Sequence, residues 1–489
     1  MTTAGDFLQR FARGDRELPL PVELPVNIDG AAGSMTVEAV LRLLPKKRIV
    51  FRGVWNGRPV VVKLFAAGRG GRRNIRRELA GYRLVSGAGL TTPELLGQCD
   101  VHGEYSGLIY ALIDDAPSLV QRWENFEAAE KKHWLTRIVQ AALALHRAGG
   151  YQEDIHLGNF LLRDGRLYIL DLGSMVIERE GRSLRNSRCL ANLGQLIAQL
   201  PVAEQGLLDE AIDAYFAQSQ WVDRKAAREQ LEEYTRRAWR IRLRDYLRKA
   251  RRVCSLTCFE QSWQFQWACR REWWGDDARQ FLRDPDAYMA RGQLLKAGNT
   301  ATVAAATMNG RPVVIKRYNI KNWRHALSRS LRPTRAWHSW RYAHLLELIG
   351  IPSLKPVALL ERRFGPLRGK AYFVSEWIDA PDLLGTGRRR ALSESELRAL
   401  QSVLLQMQTC RLSHGDFKAN NLLVTRGEIA VIDLDAMCRH RDVRGFRRAF
   451  KRDLARLQRN WVEGEPIFAQ VNAVIGEIAA LRLQARPHL

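Results

Sequence analysis

The chain has 489 residues, 46% of them hydrophobic, with 77 Lys and Arg against 52 Asp and Glu. That length exceeds one core and that apolar share excludes a disordered chain, so two or three packed domains are expected. The net charge of +25 points to polyanionic partners: nucleic acid, anionic lipid or a phosphate-rich substrate. Met1 to Leu24 holds no apolar run of signal-peptide length, and no later stretch approaches the ~20 apolar residues of a spanning helix. A soluble, cytosol-facing protein is expected, and seven scattered cysteines suit reduced thiols.

In chain order, the first strong signal is Asn56-Gly57, a pair that favours the positive φ of a two-residue hairpin turn. The segment Asn56-Gly-Arg-Pro-Val-Val-Val-Lys63 follows, with a β-branched run that predicts two antiparallel strands and Lys63 near the end of the second. A basic helical stretch, Asn74 to Val85, carries Glu78. Trp134, Ile138, Ala142 and Leu145 recur at helical spacing. Then comes Asp154-Ile-His-Leu-Gly-Asn159, and a hairpin turning at Asp164-Gly165 that ends on Asp171.

From Glu229 to Asp286 the chain is rich in Arg and Trp and reads as a helical connection. Beyond it the first pattern returns. Asn309-Gly-Arg-Pro-Val-Val-Ile-Lys316 repeats the hairpin. Ser393 and Glu396 form a capping-box pattern ahead of the stripe Leu397, Leu400, Leu404 and Met407. His414-Gly-Asp-Phe-Lys-Ala-Asn-Asn421 repeats the Asp-x-x-x-x-Asn box, and a hairpin turning at Arg426-Gly427 ends on Asp433. Asp154 to Asp171 and Asp416 to Asp433 are the same interval, so the chain reads as two copies of one unit. The basic residues cluster in Arg69 to Arg77, Arg236 to Arg252, Arg324 to Arg341, Arg388 to Arg390 and Arg439 to Arg452.

One Lys on a strand, an acidic residue on the next helix, a loop Asp, an Asn five residues on and a second strand-borne Asp suit phosphoryl transfer. That reaction needs positioned cations, hard oxygen ligands for magnesium and a carboxylate near the attacking hydroxyl.

These residues resemble the protein-kinase-like superfamily, and among its branches the bacterial small-substrate kinases: antibiotic phosphotransferases and, more closely, lipopolysaccharide core (heptose or Kdo) kinases. The tandem arrangement, the basic charge, Leu331-Arg-Pro-Thr-Arg-Ala-Trp337 and Lys451-Arg-Asp-Leu-Ala-Arg-Leu457 carry the closer resemblance. It implies an α+β fold of two tandem protein-kinase-like domains, each with a small β-rich N-lobe and a larger helical C-lobe. The divisions expected are an N-terminal extension over 1–33, domain one over 34–235, an Arg/Trp-rich helical connection over 236–285 and domain two over 286–489.

The resemblance further implies an ATP-dependent phosphotransferase with Mg2+ that modifies a sugar hydroxyl of the lipopolysaccharide inner core. It would act as a peripheral protein at the cytoplasmic face of the inner membrane, touching the core or another anionic glycolipid and the anionic membrane surface, with no specific nucleic acid. Lys63 and Lys316 would hold ATP phosphates, with Glu78 orienting Lys63. Asp154 and Asp416 would be catalytic bases. Lys418 would face the transferring phosphate, and Asn159, Asp171, Asn421 and Asp433 would bind magnesium.

The sequence departs from the family pattern in four places. Gln152 stands where a His is usual, Ser339 falls opposite Glu78, Asp435 replaces a Gly, and neither copy has a glycine-rich phosphate loop. The complete Lys63 and Glu78 pair favours the first copy as the active one. The alternatives are a pseudokinase or scaffold in surface-polysaccharide assembly, and a kinase of a soluble small molecule or of protein.

Overall fold

Chain contacts divide the protein into two units, one made of Met1–Leu200 with Gln205–Thr235 and the other of Pro201–Glu204 with Arg236–Leu489. The structure, a computed structural model, describes residues 3–13, 15, 18–44, 46–219, 221–319 and 333–481. Residues 324–332 of the basic run 324–341, with Leu331 and Arg332 of the motif that ends at Trp337, lie outside the described residues.

The first unit opens with helix α1 (Ala4–Arg13) and a closed barrel. Its strands are β1 (Val22–Ile28), β2 (Ala31–Leu44), β3 (Arg48–Trp55), β4 (Arg58–Ala66), β5 (Leu95–Val101) and β6 (Tyr105–Ala111), in the order β1-β2-β3-β4-β6-β5. Alternation drives β1: Val22, Leu24, Val26 and Ile28 are buried while the residues between them face out. Its pairing Ile28↔Cys99 closes the barrel. Phe7 and Phe11 of α1 fill the barrel core. The segment read as an N-terminal extension therefore supplies a helix and a barrel strand, because an antiparallel pair with β2 buries its apolar face.

Between β4 and β5 runs helix α2 (Arg69–Gly87). The β3–β4 turn is the expected Asn-Gly hairpin, with Asn56 at φ 50 and Gly57 at φ 73. The helical part of the unit holds α3 (Leu119–Arg122), α4 (Ala128–Arg147), α5 (Asn186–Ile197), α6 (Asp209–Gln218) and the start of α7 (Arg224–Lys249). It packs Leu135, Ile138, Val139 and Ala142 of α4 against Leu190 and Leu193 of α5 in one core. Short strands β7 (Gly150–Gln152) and β10 (Met175–Ile177) pair, and β8 (Phe160–Arg163) with β9 (Arg166–Ile169) forms the hairpin that leads to Asp171.

The second unit carries a seven-stranded sheet in the order β11-β12-β16-β17-β15-β14-β13. The strands are β11 (Thr257–Gln261), β12 (Phe265–Arg270), β13 (Gln293–Ala297), β14 (Ala301–Met308), β15 (Arg311–Tyr318), β16 (Pro356–Phe364) and β17 (Leu367–Glu376). Residues 236–285, expected to be a helical connection, are only partly helical: the end of α7 gives way to β11 and β12, then to α8 (Asp276–Arg283) and, beyond that stretch, α9 (Pro285–Ala290). The aromatic and thiol side chains of β12 explain this. Trp267 and Cys269 pair with Leu360 and Ala358 of β16, which puts them in the sheet core.

Helix α10 (Arg335–Ile349) crosses this sheet, with its N-cap Thr334 accepting from Trp337. Then come α11 (Leu383–Arg389), α12 (Glu394–Thr409), β18 (Leu412–Ser413), the hairpin β19 (Leu422–Val424) with β20 (Ile429–Val431), β21 (Cys438–Arg439), α13 (Val443–Gln458) and α14 (Phe468–Ala480). Each unit is thus mixed α/β, with a β-rich part ahead of a helical one. Among the described residues, no helix is long and apolar enough to cross a membrane.

Candidate active site

In the first unit, Lys63 sits in β4 between Val50 of β3 and Leu108 of β6. Its Nζ donates to both carboxylate oxygens of Glu78, at 3.0 and 2.9 Å. Glu78 is 1% exposed, and Tyr110 donates a further bond to it at 3.3 Å. A carboxylate this deep persists only with such partners. Helix α2 reaches the site because Gly81 lacks a side chain: a Cβ there would lie 2.0 Å from the carbonyl oxygen of Leu172.

Asp171 adopts a left-handed conformation at φ 54, which Asp tolerates better than most residues. The 3₁₀ turn Leu172–Ser174 follows it. Asn159 Nδ2 donates to the backbone oxygen of Asp154 at 2.7 Å, and Leu170 N donates to Asn159 O at 2.8 Å. These bonds staple the Asp154 loop to the strand that carries Asp171. Gln152 adds a third, from Nε2 to Leu170 O at 2.8 Å. Lys63, Asn159 and Asp171 line a cavity of about 480 Å³, together with Val50, Val61 and Ile169. Glu78 lies behind Lys63, and Asp154 does not line the cavity; its side chain is 67% exposed, with His156 Nε2 3.8 Å away.

The second unit repeats the staples. Asn421 Nδ2 donates to Asp416 O at 2.8 Å, Ile432 N donates to Asn421 O at 2.9 Å, and His414 Nε2 lies 2.9 Å from Ile432 O. Gln152 thus makes with its amide the bond that His414 makes with its ring, so the loss of the His leaves the loop held. Asp433 is again left-handed, at φ 59.

Two residues of α13 brace the loop. Asp453, buried, accepts from the backbone N–H of His414 at 2.6 Å and of Gly415 at 3.0 Å. Arg456 donates to the Asp416 carboxylate at 2.6 Å, and Lys418 Nζ lies 3.1 Å from the same oxygen. A single cavity of about 600 Å³ is lined by Lys316, Arg335, Asp416, Asn421, Asp433 and Asp435. The sequence stretch 451–457 contains Asp453 and Arg456, but nothing local marks either as a brace, since their partners lie about forty residues earlier.

Lys316, in β15 between Val303 and Phe373, pairs among the described residues with no carboxylate of α10. Ser339 stands there, 2% exposed, and bonds the Tyr318 hydroxyl at 2.9 Å. Lys316 Nζ instead donates to Asp433 Oδ1 and lies 3.5 Å from Asp435 Oδ2. Space explains the exchange. In the first unit the residue matching Asp435 is Gly173, where a Cβ would lie 2.7 Å from Glu78 Oε1. A helix Glu and a loop Asp therefore compete for one volume. The first unit fills it from α2, the second from the loop.

Burial opposes charge on Lys316, yet Tyr318, Asp433 and Asp435 hold its pKa above the usual lysine range. Burial works to raise Asp433 as well, but Lys316 keeps it below the ordinary carboxylate value. Asp435 is pushed up, because burial and then the charge of Asp433 outweigh Lys316.

The donor set fits a nucleotide with magnesium. Asn421 and Asp433 would hold the ion in the second unit, and Asn159 and Asp171 in the first. Among the described residues no three His, Cys, Asp or Glu cluster to hold a metal by themselves. Magnesium takes one or two protein carboxylates and fills its shell from phosphate and water.

Residues 288–475 match the family described as Lipopolysaccharide kinase (Kdo/WaaP) family. The matched stretch contains Lys316, Asp416, Lys418, Asn421 and Asp433 and falls within the second unit. A search of curated proteins finds no match to the chain.

Proposed function

We propose that the chain is an ATP-dependent phosphotransferase that modifies a sugar hydroxyl of the lipopolysaccharide inner core, heptose or Kdo, with the second unit carrying the transfer. The observation that supports this most is the convergence of Lys316, Asp416, Asn421 and Asp433 on one cavity, inside the stretch that matches a lipopolysaccharide kinase family.

In this reading Lys316 orients the nucleotide phosphates from its strand, and Asn421 and Asp433 hold magnesium. The bound nucleotide and its metal supply the phosphoryl group and neutralise its charge. Asp416 accepts the proton of the sugar hydroxyl, held in place by Arg456 and by the loop that Asp453 braces. Lys418, beside Asp416, faces the transferring group. Asp435 removes the reason for favouring the first copy, since it supplies the carboxylate that α10, with Ser339 facing the site and its Glu347 bonded to Arg270 and Tyr246, does not bring to Lys316.

We read the first unit as a second kinase-like domain, on the strength of its matching staples. The exposure of Asp154 and its absence from the cavity lining favour a role there in holding nucleotide or scaffolding. The charge of +25 supports a peripheral position on the anionic cytoplasmic face of the inner membrane, where each nearby Lys or Arg contributes ~1 kcal/mol.

Incubating the purified full chain with ATP, magnesium and core lipopolysaccharide should transfer phosphate to core sugar. Absence of transfer to any core acceptor, with unchanged core phosphate in a deletion strain, would overturn the proposal.

A further inference from the structure

Helix α10 has two working faces. Successive residues turn by roughly 100° in an α-helix, so Arg335 and Ser339 share one face, and both line the catalytic cavity. Trp337, Trp340 and Arg341 point elsewhere. They line a separate cavity of about 520 Å³ with the end of α7, residues Ala250 and Arg251, and Arg439 of β21. The two cavities share no lining residue.

This second cavity is built from guanidinium and indole groups. Arg244, Arg248, Arg251, Arg341 and Arg439 line it, and among the described residues no Asp or Glu does. Asp245 reaches Arg244 at 3.4 Å and Arg248 at 3.6 Å, with every partner at least half exposed, and such surface pairs neutralise little. The Arg251 guanidinium lies 4.6 Å from the ring centre of Trp337. Trp340 has its N–H occupied by Ala250 O at 3.2 Å.

Charge is held here at a cost. Burial, then the nearby Arg368, press the Arg251 pKa down despite Glu361. Burial presses on Arg439 too, with Arg341 adding to it.

We propose that this cavity is a binding site for a phosphate-bearing anion, separate from the catalytic cavity and gripped by Arg251, Arg341 and Arg439. Guanidinium forks match phosphate oxygens in pairs, and several on one concave surface suit a dianion or diphosphate. The indole walls provide apolar area for whatever carries the phosphate.

The site's position gives the ligand leverage. Arg341 belongs to α10, which supplies Arg335 and Ser339 to the catalytic cavity. Arg439 follows the Asp433–Asp435 turn closely and pairs with Leu412, just before the Asp416 loop. His338 Nε2 already bonds Met437 O at 2.7 Å, and Tyr342 accepts from Arg439 N at 2.9 Å. An anion bridging Arg341 and Arg439 would tie the same two elements more firmly.

The test is calorimetric titration of inorganic pyrophosphate into the full chain without magnesium, beside flotation with phosphatidylcholine vesicles containing or lacking phosphatidylglycerol. Saturable pyrophosphate binding that weakens at least tenfold in Arg341→Gln/Arg439→Gln, and in Arg251→Gln as a second variant, while Lys316→Met leaves it within about twofold, supports a site for a soluble phosphate compound. Vesicle binding that depends on phosphatidylglycerol and falls in the same Arg variants supports a lipid headgroup instead. If neither probe responds to the Arg substitutions in variants with native circular dichroism, or if Lys316→Met alone abolishes pyrophosphate binding, the proposal is wrong.

Discussion

A buried lysine on a strand can take its carboxylate from either of two backbones, and the two units choose differently. Glu78 reaches Lys63 from α2 across Gly173, while Asp435 approaches Lys316 from the loop across Ser339. Removing one partner of a buried pair typically costs about 3–5 kcal/mol, so Glu78→Ser should destabilise the first unit on that scale in urea unfolding. Gly173→Asp alone should also destabilise, by driving its Cβ into Glu78. Combined with Glu78→Ser it should recover part of the loss; a strictly additive double variant would refute the exchange. Asp435 leads to a second prediction. Its folded pKa is raised, so proton binding favours the fold at low pH and that contribution disappears as pH rises through the folded value. Above that value the ionised form contributes less stability than the protonated one. Asp435→Asn, which cannot titrate, should therefore flatten the fall of melting temperature with rising pH and slow transfer by leaving Lys316 one carboxylate short; a pH dependence equal to that of the wild type would contradict this.

Elements that depend on near neighbours were legible in the sequence, and those that depend on distant ones were not. The Asn-Gly hairpins and the Ser393 to Glu396 cap are local chemistry and stand where expected. The alternation of β1 is also written in its residues, but its closing partner, Cys99, lies far along the chain. Strands β11 and β12 were hidden by an Arg- and Trp-rich composition and revealed only by their pairing with β16. At the site, the order of Lys, Asp, Asn and Asp could be read, whereas the braces Asp453 and Arg456 needed the fold. The cap on α12 makes its own prediction. Arg390 bonds both Glu396 oxygens at 2.7 Å, and with Ser393 it draws the carboxyl from 4.5 down to about 2. Because the folded pKa is depressed, the stabilisation is present above about pH 4.5 and is lost as pH falls toward 2. Glu396→Gln should cost about 1 kcal/mol at pH 7, with the gap to wild type closing below pH 4.5; a gap independent of pH would exclude the ionised cap.

The whole molecule carries +25 on a chain whose described helices cannot span a bilayer. Binding to anionic vesicles should therefore weaken steeply as ionic strength rises from about 0.05 to 0.5 M, where screening shortens to a few ångströms; salt-insensitive binding would point to apolar insertion. The two units differ in what their cavities hold. The second brings Lys316, Asp416, Asn421 and Asp433 to one cavity within the stretch that matches a kinase family, and the first leaves Asp154 off its cavity lining. The most direct test is phosphate transfer from ATP to core lipopolysaccharide by the full chain carrying Asp416→Asn or Asp154→Asn. Loss of ~10²–10⁴-fold in rate for Asp416→Asn, with Asp154→Asn close to wild type, is the predicted result. Undiminished transfer in Asp416→Asn, or its loss in Asp154→Asn alone, would contradict the assignment of the chemistry to the second unit.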